Sequence, residues 1–131
     1  MRYEVKQRVE DGRKSEALRR LLARHETELD ARKQLLKEDI VPEPGEAGGS
    51  VESSADTFAR DVGAALLDAT ARTVRSIKQA LHRLEEGAYG RCVGCDSAIA
   101  ALRLRALPFA ERCRDCQQRC DSEWHRSPFL V

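Results

Sequence analysis

Aromatic side chains are scarce in this chain of 131 residues, forming 5% of it, and Trp occurs once. So little bulky apolar material excludes a broad globular core built by packing alone. An excess of one charge is also lacking, since 23 Lys and Arg meet 22 Asp and Glu for a net charge of +1. Capture of a polyanion through bulk charge is thereby excluded. No apolar run reaches membrane-spanning length, and the N-terminus has no apolar stretch of the secretory-signal kind. A soluble, cytoplasmic protein without membrane association is therefore expected. There is no convincing nucleophile–base pair, no open metal site and no βαβ pattern beside a C-x-x-C. The chain does not read as an enzyme.

What is present is charge, helix-forming residues and cysteine. Charged residues make up 34% and mean hydropathy is −0.56. This suits long solvated helices joined to a small metal-held module, and the length suits one domain. Cys92, Cys95, Cys113 and Cys116 stand in a C-x2-C-x17-C-x2-C arrangement. Two cysteines three positions apart can both face one ion when the turn between them is tight, and Gly94 supplies permissive backbone for such a turn. Two such turns give four thiolates, the soft tetrahedral donor set of structural zinc. Four protein ligands leave no place for a water nucleophile, so one Zn²⁺ is expected as a staple. Five cysteines, four of them in a metal pattern, argue for a reducing compartment.

Residues 1–40 are predicted as one long helix, weakened at Asp11-Gly12. Its apolar residues from Ser15 onward are Leu18, Leu21, Leu22, Leu29, Leu35, Leu36 and Ile40, with Leu22, Leu29 and Leu36 recurring at seven. His25 and Arg32 interrupt this seam, and His25 reads as register-setting or half-exposed. Val5 and Val9 either pack back on the metal module or fray. Pro42, Pro44, Gly45, Gly48 and Gly49 break the helix into a loop over about 41–54. A second helix is predicted from about 55 to 86, with Ser53 or Ser54 as its N-cap. Its seam reads Phe58, Val62, Leu66, Ala69, Thr73, Ile77, Leu81 and Leu84, and Gly87 ends it.

Two such helices fold into an antiparallel hairpin, a coiled coil over 1–88, with the zinc module of 89–131 clamping its base. The expected fold class is thus mainly α, with an acidic tip loop, a C4 module and a short C-terminal helix that ends at Pro128. A monomer is expected, because the two seams satisfy each other. Cys120 lies at i+4 from Cys116 on the same helical face. It is an apolar filler, the preferred reading, or a spare ligand, or an oxidation-sensitive thiol. Trp124 is expected to pack against the coiled-coil base and His125 to lie at the surface.

Between Lys37 and Arg60 there is no Lys or Arg, whereas Glu38, Asp39, Glu43, Glu46, Glu52 and Asp56 fall there. Residues 1–37 carry eleven basic and seven acidic residues, so acid is concentrated at the predicted tip. Such a loop is either plainly solvated or able to deliver carboxylates into a narrow, positively lined or metal-containing site.

The run Ala80 to Cys92, ALHRLEEGAYGRC, resembles the lead-in to the DksA/TraR C4-type zinc finger. Ile99, Arg103-Leu104, Ala106, Leu107-Pro108 and Cys113-x-x-Cys116-Gln117 continue the likeness, which covers about residues 77–118. Asp96 stands where the family usually has Gly, a mild departure because Asp tolerates a left-handed turn. The resemblance implies a bacterial factor that binds RNA polymerase and inserts an acidic coiled-coil tip through its secondary channel. It further implies altered promoter-complex stability without sequence-specific DNA contacts, in many members together with guanosine tetraphosphate. Members active at promoters carry D-x-x-D-x-A at the tip, where this chain has Gly49-Ser50-Val51-Glu52-Ser53-Ser54. Glu52 keeps one acid, with Glu46 and Asp56 as the neighbouring candidates. Ser76, Leu107 and Gln117 match positions where responsive members have bases, so weak or no nucleotide synergy is expected.

Two other functions compete with polymerase regulation: a zinc-stapled adaptor for another protein, and a thiol redox sensor using Cys120. Direct DNA binding is disfavoured, since residues 91–131 carry seven Arg against five acids without interleaved aromatics.

Overall fold

The computed structural model describes residues 1–38 and 52–126. Most of the predicted tip loop, with Pro42, Pro44 and Glu46, lies outside them, as do Ile40 and Pro128. Four helices follow in order: α1 (Arg2–Glu38), α2 (Glu52–Glu85), α3 (Ala101–Ala106) and α4 (Arg114–Arg126). Among the described residues there is no strand, only an isolated antiparallel bridge between Arg91 and Ala98. The fold is mainly α, a long helical hairpin followed by a small finger and a C-terminal helix, as the sequence predicts.

α1 runs unbroken through Gly12, because strong helix formers on both sides outweigh a cost of about 1 kcal/mol for one glycine. α2 begins at Glu52. Ser53 and Ser54 therefore lie inside its first turn, and neither is the N-cap that the sequence suggested. Its C-terminus follows the expected rule. Gly87 has φ +75°, its N–H donates to the Leu84 carbonyl, and the Ala88 N–H donates to the Arg83 carbonyl at 2.8 Å. This pair of bonds is the Schellman closure, which requires a left-handed residue and so favours glycine.

Two compact units divide the chain: Arg20–Arg75, and Met1–Arg19 with Ser76–Val131. In the first unit α1 and α2 pack antiparallel, and a Cβ on Gly63 would stand 3.2 Å from Leu36 Cδ2. Glycine there lets the helices approach closely. Thr70 and Val74 are buried on α2, with Gly63 and Leu67 half-buried on the same face. The Thr70 hydroxyl donates to the Leu66 carbonyl at 2.9 Å, which satisfies a polar group in the seam. On α1, His25 and Arg32 are half-buried. Glu28 serves both, at 3.6 Å from His25 Nδ1 and 2.6 Å from an Arg32 amine. Hydrogen bonding from Arg32 holds the Glu28 carboxyl below its ordinary value.

The predicted seam of α2 is therefore shifted by about one residue in its N-terminal half. Phe58, Val62 and Leu66 are exposed there, as is Leu35 on α1. The reason is steric: small Gly63 and Thr70 permit a tighter contact than a ridge of large side chains would.

In the other unit Leu18, Ile77 and Ala80 form the buried centre, with Cys92 and Ile99. Tyr3, Val5 and Val9 lie on regular helix and stay exposed. They do not pack on the metal module.

Candidate metal centre

The first knuckle is set by backbone bonds around Cys92. Gly90 has φ +82°, its carbonyl accepts the Ile99 N–H, and the Cys92 N–H donates to the Ser97 carbonyl, both at 2.8 Å. The Asp96 N–H donates back to the Cys92 carbonyl, which closes the turn that carries Cys95. Asp96 sits in that turn at φ +60°, the one non-glycine residue with positive φ among the described residues. The left-handed geometry anticipated from the sequence is what the chain adopts. The second knuckle is the start of α4, where the Gln117 N–H donates to the Cys113 carbonyl and the Cys116 N–H points at Cys113 Sγ.

Together these turns place the sulfurs of Cys92, Cys95, Cys113 and Cys116 within 4.8 Å of one another. Cys95 and Cys113 are 3.8 Å apart. Four thiolates around one zinc ion at about 2.3 Å define a tetrahedron with edges of about 3.8 Å. The Gly94 N–H approaches Cys92 Sγ at 3.4 Å, as knuckle amides do toward a thiolate. A Cβ on Gly94 would stand 3.0 Å from Cys116 Sγ, so a side chain there would crowd the centre. The donor set, the spacing and this cradle fit one structural Zn²⁺. No other group of three or more candidate ligands occurs among the described residues.

Free of metal, these thiols would titrate apart. Cys92 is lowered to about 6, chiefly by backbone hydrogen bonding from Cys113. Cys116 is raised to about 12 by its hydrogen-bonding neighbours Cys113 and Cys92. Cys92, the most buried of the four, is thus held toward its thiolate and Cys116 toward its thiol.

Side chains that tie the module together were less legible in the sequence. Arg83, in the last turns of α2, donates to the carbonyls of Ala88, Arg91 and Glu111. Tyr89 donates its hydroxyl to the Pro108 carbonyl at 2.6 Å, and burial pushes that phenol up. Arg103, on the unpredicted α3, donates to the Arg112 carbonyl at 3.0 Å. Each is a side chain clamping a backbone carbonyl of a loop, which no local periodicity announces. The sequence signal was only that Arg83, Tyr89 and Arg103 fall within the motif.

Other candidates separate from the centre. Cys120 is exposed and outside the sulfur cluster. It is therefore not the apolar filler that was preferred, because α4 turns that position outward. Trp124, one helical turn further, is 65% exposed and does not pack on the coiled-coil base. His125 is exposed as expected. Asp56 is exposed near the start of α2, which Glu52 opens. Ser76, Leu107 and Gln117 do converge, on one recess of about 220 Å³ that Arg103 and Arg112 also line.

Comparison with known proteins agrees with this geometry. Residues 87–119 match the prokaryotic dksA/traR C4-type zinc finger. An uncharacterised protein of Aquifex aeolicus (strain VF5) is 29% identical over 110 residues, covering 84% of this chain and 70% of that one. Transcription factor DksA2 from Pseudomonas aeruginosa superposes with a TM-score of 0.69 at 19% identity, over 90% of this chain and 88% of that one. The RNA polymerase binding protein and transcriptional regulator Dks from Chlamydia trachomatis L2 (LGV434) gives a TM-score of 0.42 at 19% identity, over 82% and 95% of the two chains. That last likeness is too loose to carry an argument about fold. The chain is DksA-like in two respects, for it carries a DksA/TraR C4-type zinc finger at residues 87–119 on a helical fold similar to that of DksA2.

Proposed function

We propose that this protein is a transcription regulator that binds bacterial RNA polymerase in the cytoplasm and acts through its secondary channel. The observation that carries the reading is the joining of a DksA/TraR C4 finger to a helical hairpin of DksA2-like fold. On this reading residues 1–88 are the arm and residues 89–131 the module that holds its base. Zinc fixes the base and takes no part in chemistry, because four thiolates close its coordination. Catalysis is the enzyme's own, and the protein acts by binding, as a monomer and without reading a DNA sequence.

The acids Glu46, Glu52 and Asp56 are the proposed acting groups of the tip. Promoter-complex lifetimes with purified RNA polymerase test this directly. Wild type should change the lifetime, and Glu52→Ala combined with Glu46→Gln and Asp56→Asn should abolish the change while binding to the enzyme persists. Loss of binding together with activity would instead place the tip in the anchoring contact.

Guanosine tetraphosphate is proposed to add little. The recess that gathers Ser76, Leu107 and Gln117 lacks a base at all three positions, and its lining arginines are Arg112 and Arg103, whose Nε–H donates to the Arg112 carbonyl. Strong synergy in the native protein would overturn this.

The departure of Gly49-Ser50-Val51-Glu52-Ser53-Ser54 from the tip motif favours a second reading, an adaptor of the same fold with another protein partner. The exposure of Cys120 favours a third, a redox thiol one helical turn from the Cys116 ligand. Full zinc retention after mild peroxide treatment would remove that one.

A further inference from the structure

α2 carries two apolar stripes, of which one is covered. Gly63, Leu67, Thr70 and Val74 form the face turned to α1 within the unit Arg20–Arg75. Phe58, Val62 and Leu66 form a second stripe, spaced at four and offset by about 100° around the helix. They are 71%, 42% and 45% exposed. Small Ala55, Ala59 and Ala69 extend the stripe at helical spacing. Leu36 lies against Gly63 in antiparallel register. That register brings Leu35, 62% exposed, to the same side of the seam as Leu66. The result is on the order of 400 Å² of apolar surface along two neighbouring helices, as large as the functional patches of typical monomers. A row at i, i+4 and i+8 beside a second helix is a groove shaped for a third helix.

Charge decides the occupant. Asp61 and Asp68 border the stripe along its outer edge on α2, and Glu38 lies at the same level on α1. A second copy packed antiparallel on this face would set the Asp61 and Asp68 border against itself, acid facing acid. We infer that this face docks an amphipathic helix of a partner protein whose apolar stripe is bordered by Lys or Arg. The inference stands apart from the polymerase reading, since it rests on the exposed stripe and its acidic frame alone.

The test uses the full zinc-loaded chain and two fluorescent synthetic helices of one length, both with Leu at heptad a and d positions. One has Lys and Arg at its flanking positions and the other has Glu. Anisotropy should show the basic helix binding wild type at least about tenfold more tightly than the acidic one. Phe58→Ser with Leu66→Ser should lose about tenfold for the basic helix, with unchanged helical circular dichroism and zinc content. Asp61→Asn with Asp68→Asn should bring the two helices within about threefold of each other. Equal binding of both helices to wild type, or unaltered binding by the Phe58 and Leu66 variant, would overturn the inference. So would a dimer in sedimentation equilibrium that the same variant abolishes, which would assign the face to a second copy.

Discussion

Asp96 and Gly94 show how single residues shape the metal centre. Asp96 occupies left-handed backbone at φ +60°, a conformation that costs a side chain about 1–2 kcal/mol and glycine almost nothing. Asp96→Gly should therefore leave thermal stability equal or raise it by up to about 1 kcal/mol, whereas Asp96→Val should lower it by about 1–2 kcal/mol. Melting curves of zinc-loaded protein decide between these signs. Gly94→Ala forces a methyl to 3.0 Å from Cys116 Sγ, and zinc transfer to a chromogenic chelator should then be at least about tenfold faster. Proton linkage follows from the sulfurs. Cys92 is depressed from 9.0 to about 6, so its contribution is present above the ordinary thiol range and lost as pH falls through about 6. Cys116 is raised to about 12, so its proton must be displaced by the metal throughout the neutral range. Apparent zinc affinity should accordingly rise steeply with pH between about 6 and 9. A flat profile in chelator competition would mean that binding displaces no thiol proton, against a thiolate site.

The helices teach a different lesson about what a sequence reveals. Ile77 is wholly buried and Phe58 is 71% exposed, although both stood in one predicted seam. Ile77→Ala should destabilise by about 2–5 kcal/mol, and Phe58→Ala should stay within about 0.5 kcal/mol of wild type in urea unfolding. Equal losses would restore the seam read from spacing alone. The Gly87 stop and the four clustered cysteines were legible, because a C-terminal glycine and metal knuckles are local signals written in adjacent residues, whereas the start of α2 at Glu52 and the short α3 were not. The covered face of α2 was not, because Phe58-Val62-Leu66 and Gly63-Leu67-Thr70 both satisfy a helical period. Only the close approach at Gly63 chooses between them, and that is a property of the pair of helices. The clamping role of Arg83, read only as part of the motif, was hidden for a similar reason. Its three carbonyl partners come from Ala88, Arg91 and Glu111, up to 28 residues away in the chain. Arg83→Met should cost about 1.5–3 kcal/mol as these charge-assisted bonds are lost.

At the scale of the whole molecule, zinc substitutes for a core that the composition cannot supply. The buried hydrophobic set among the described residues is Leu18, Val74, Ile77, Ala80, Cys92 and Ile99, a thin core for a chain of 131 residues. Metal binding of the order of 10–16 kcal/mol in small zinc peptides is large beside such a core. Chelation should remove one zinc per chain and collapse the module around α3 and α4, read as lost helical signal and a lowered melting temperature. The proposed function places that module at the base of an arm whose tip is acidic and directed at RNA polymerase. The most direct measurement is binding of the purified zinc-loaded protein to bacterial core RNA polymerase, followed by fluorescence anisotropy beside its chelator-stripped form. The account predicts saturable binding by the zinc-loaded chain and at least about tenfold weaker binding once zinc is removed. No binding by the zinc-loaded protein would contradict the proposed function and leave an adaptor for another partner in its place.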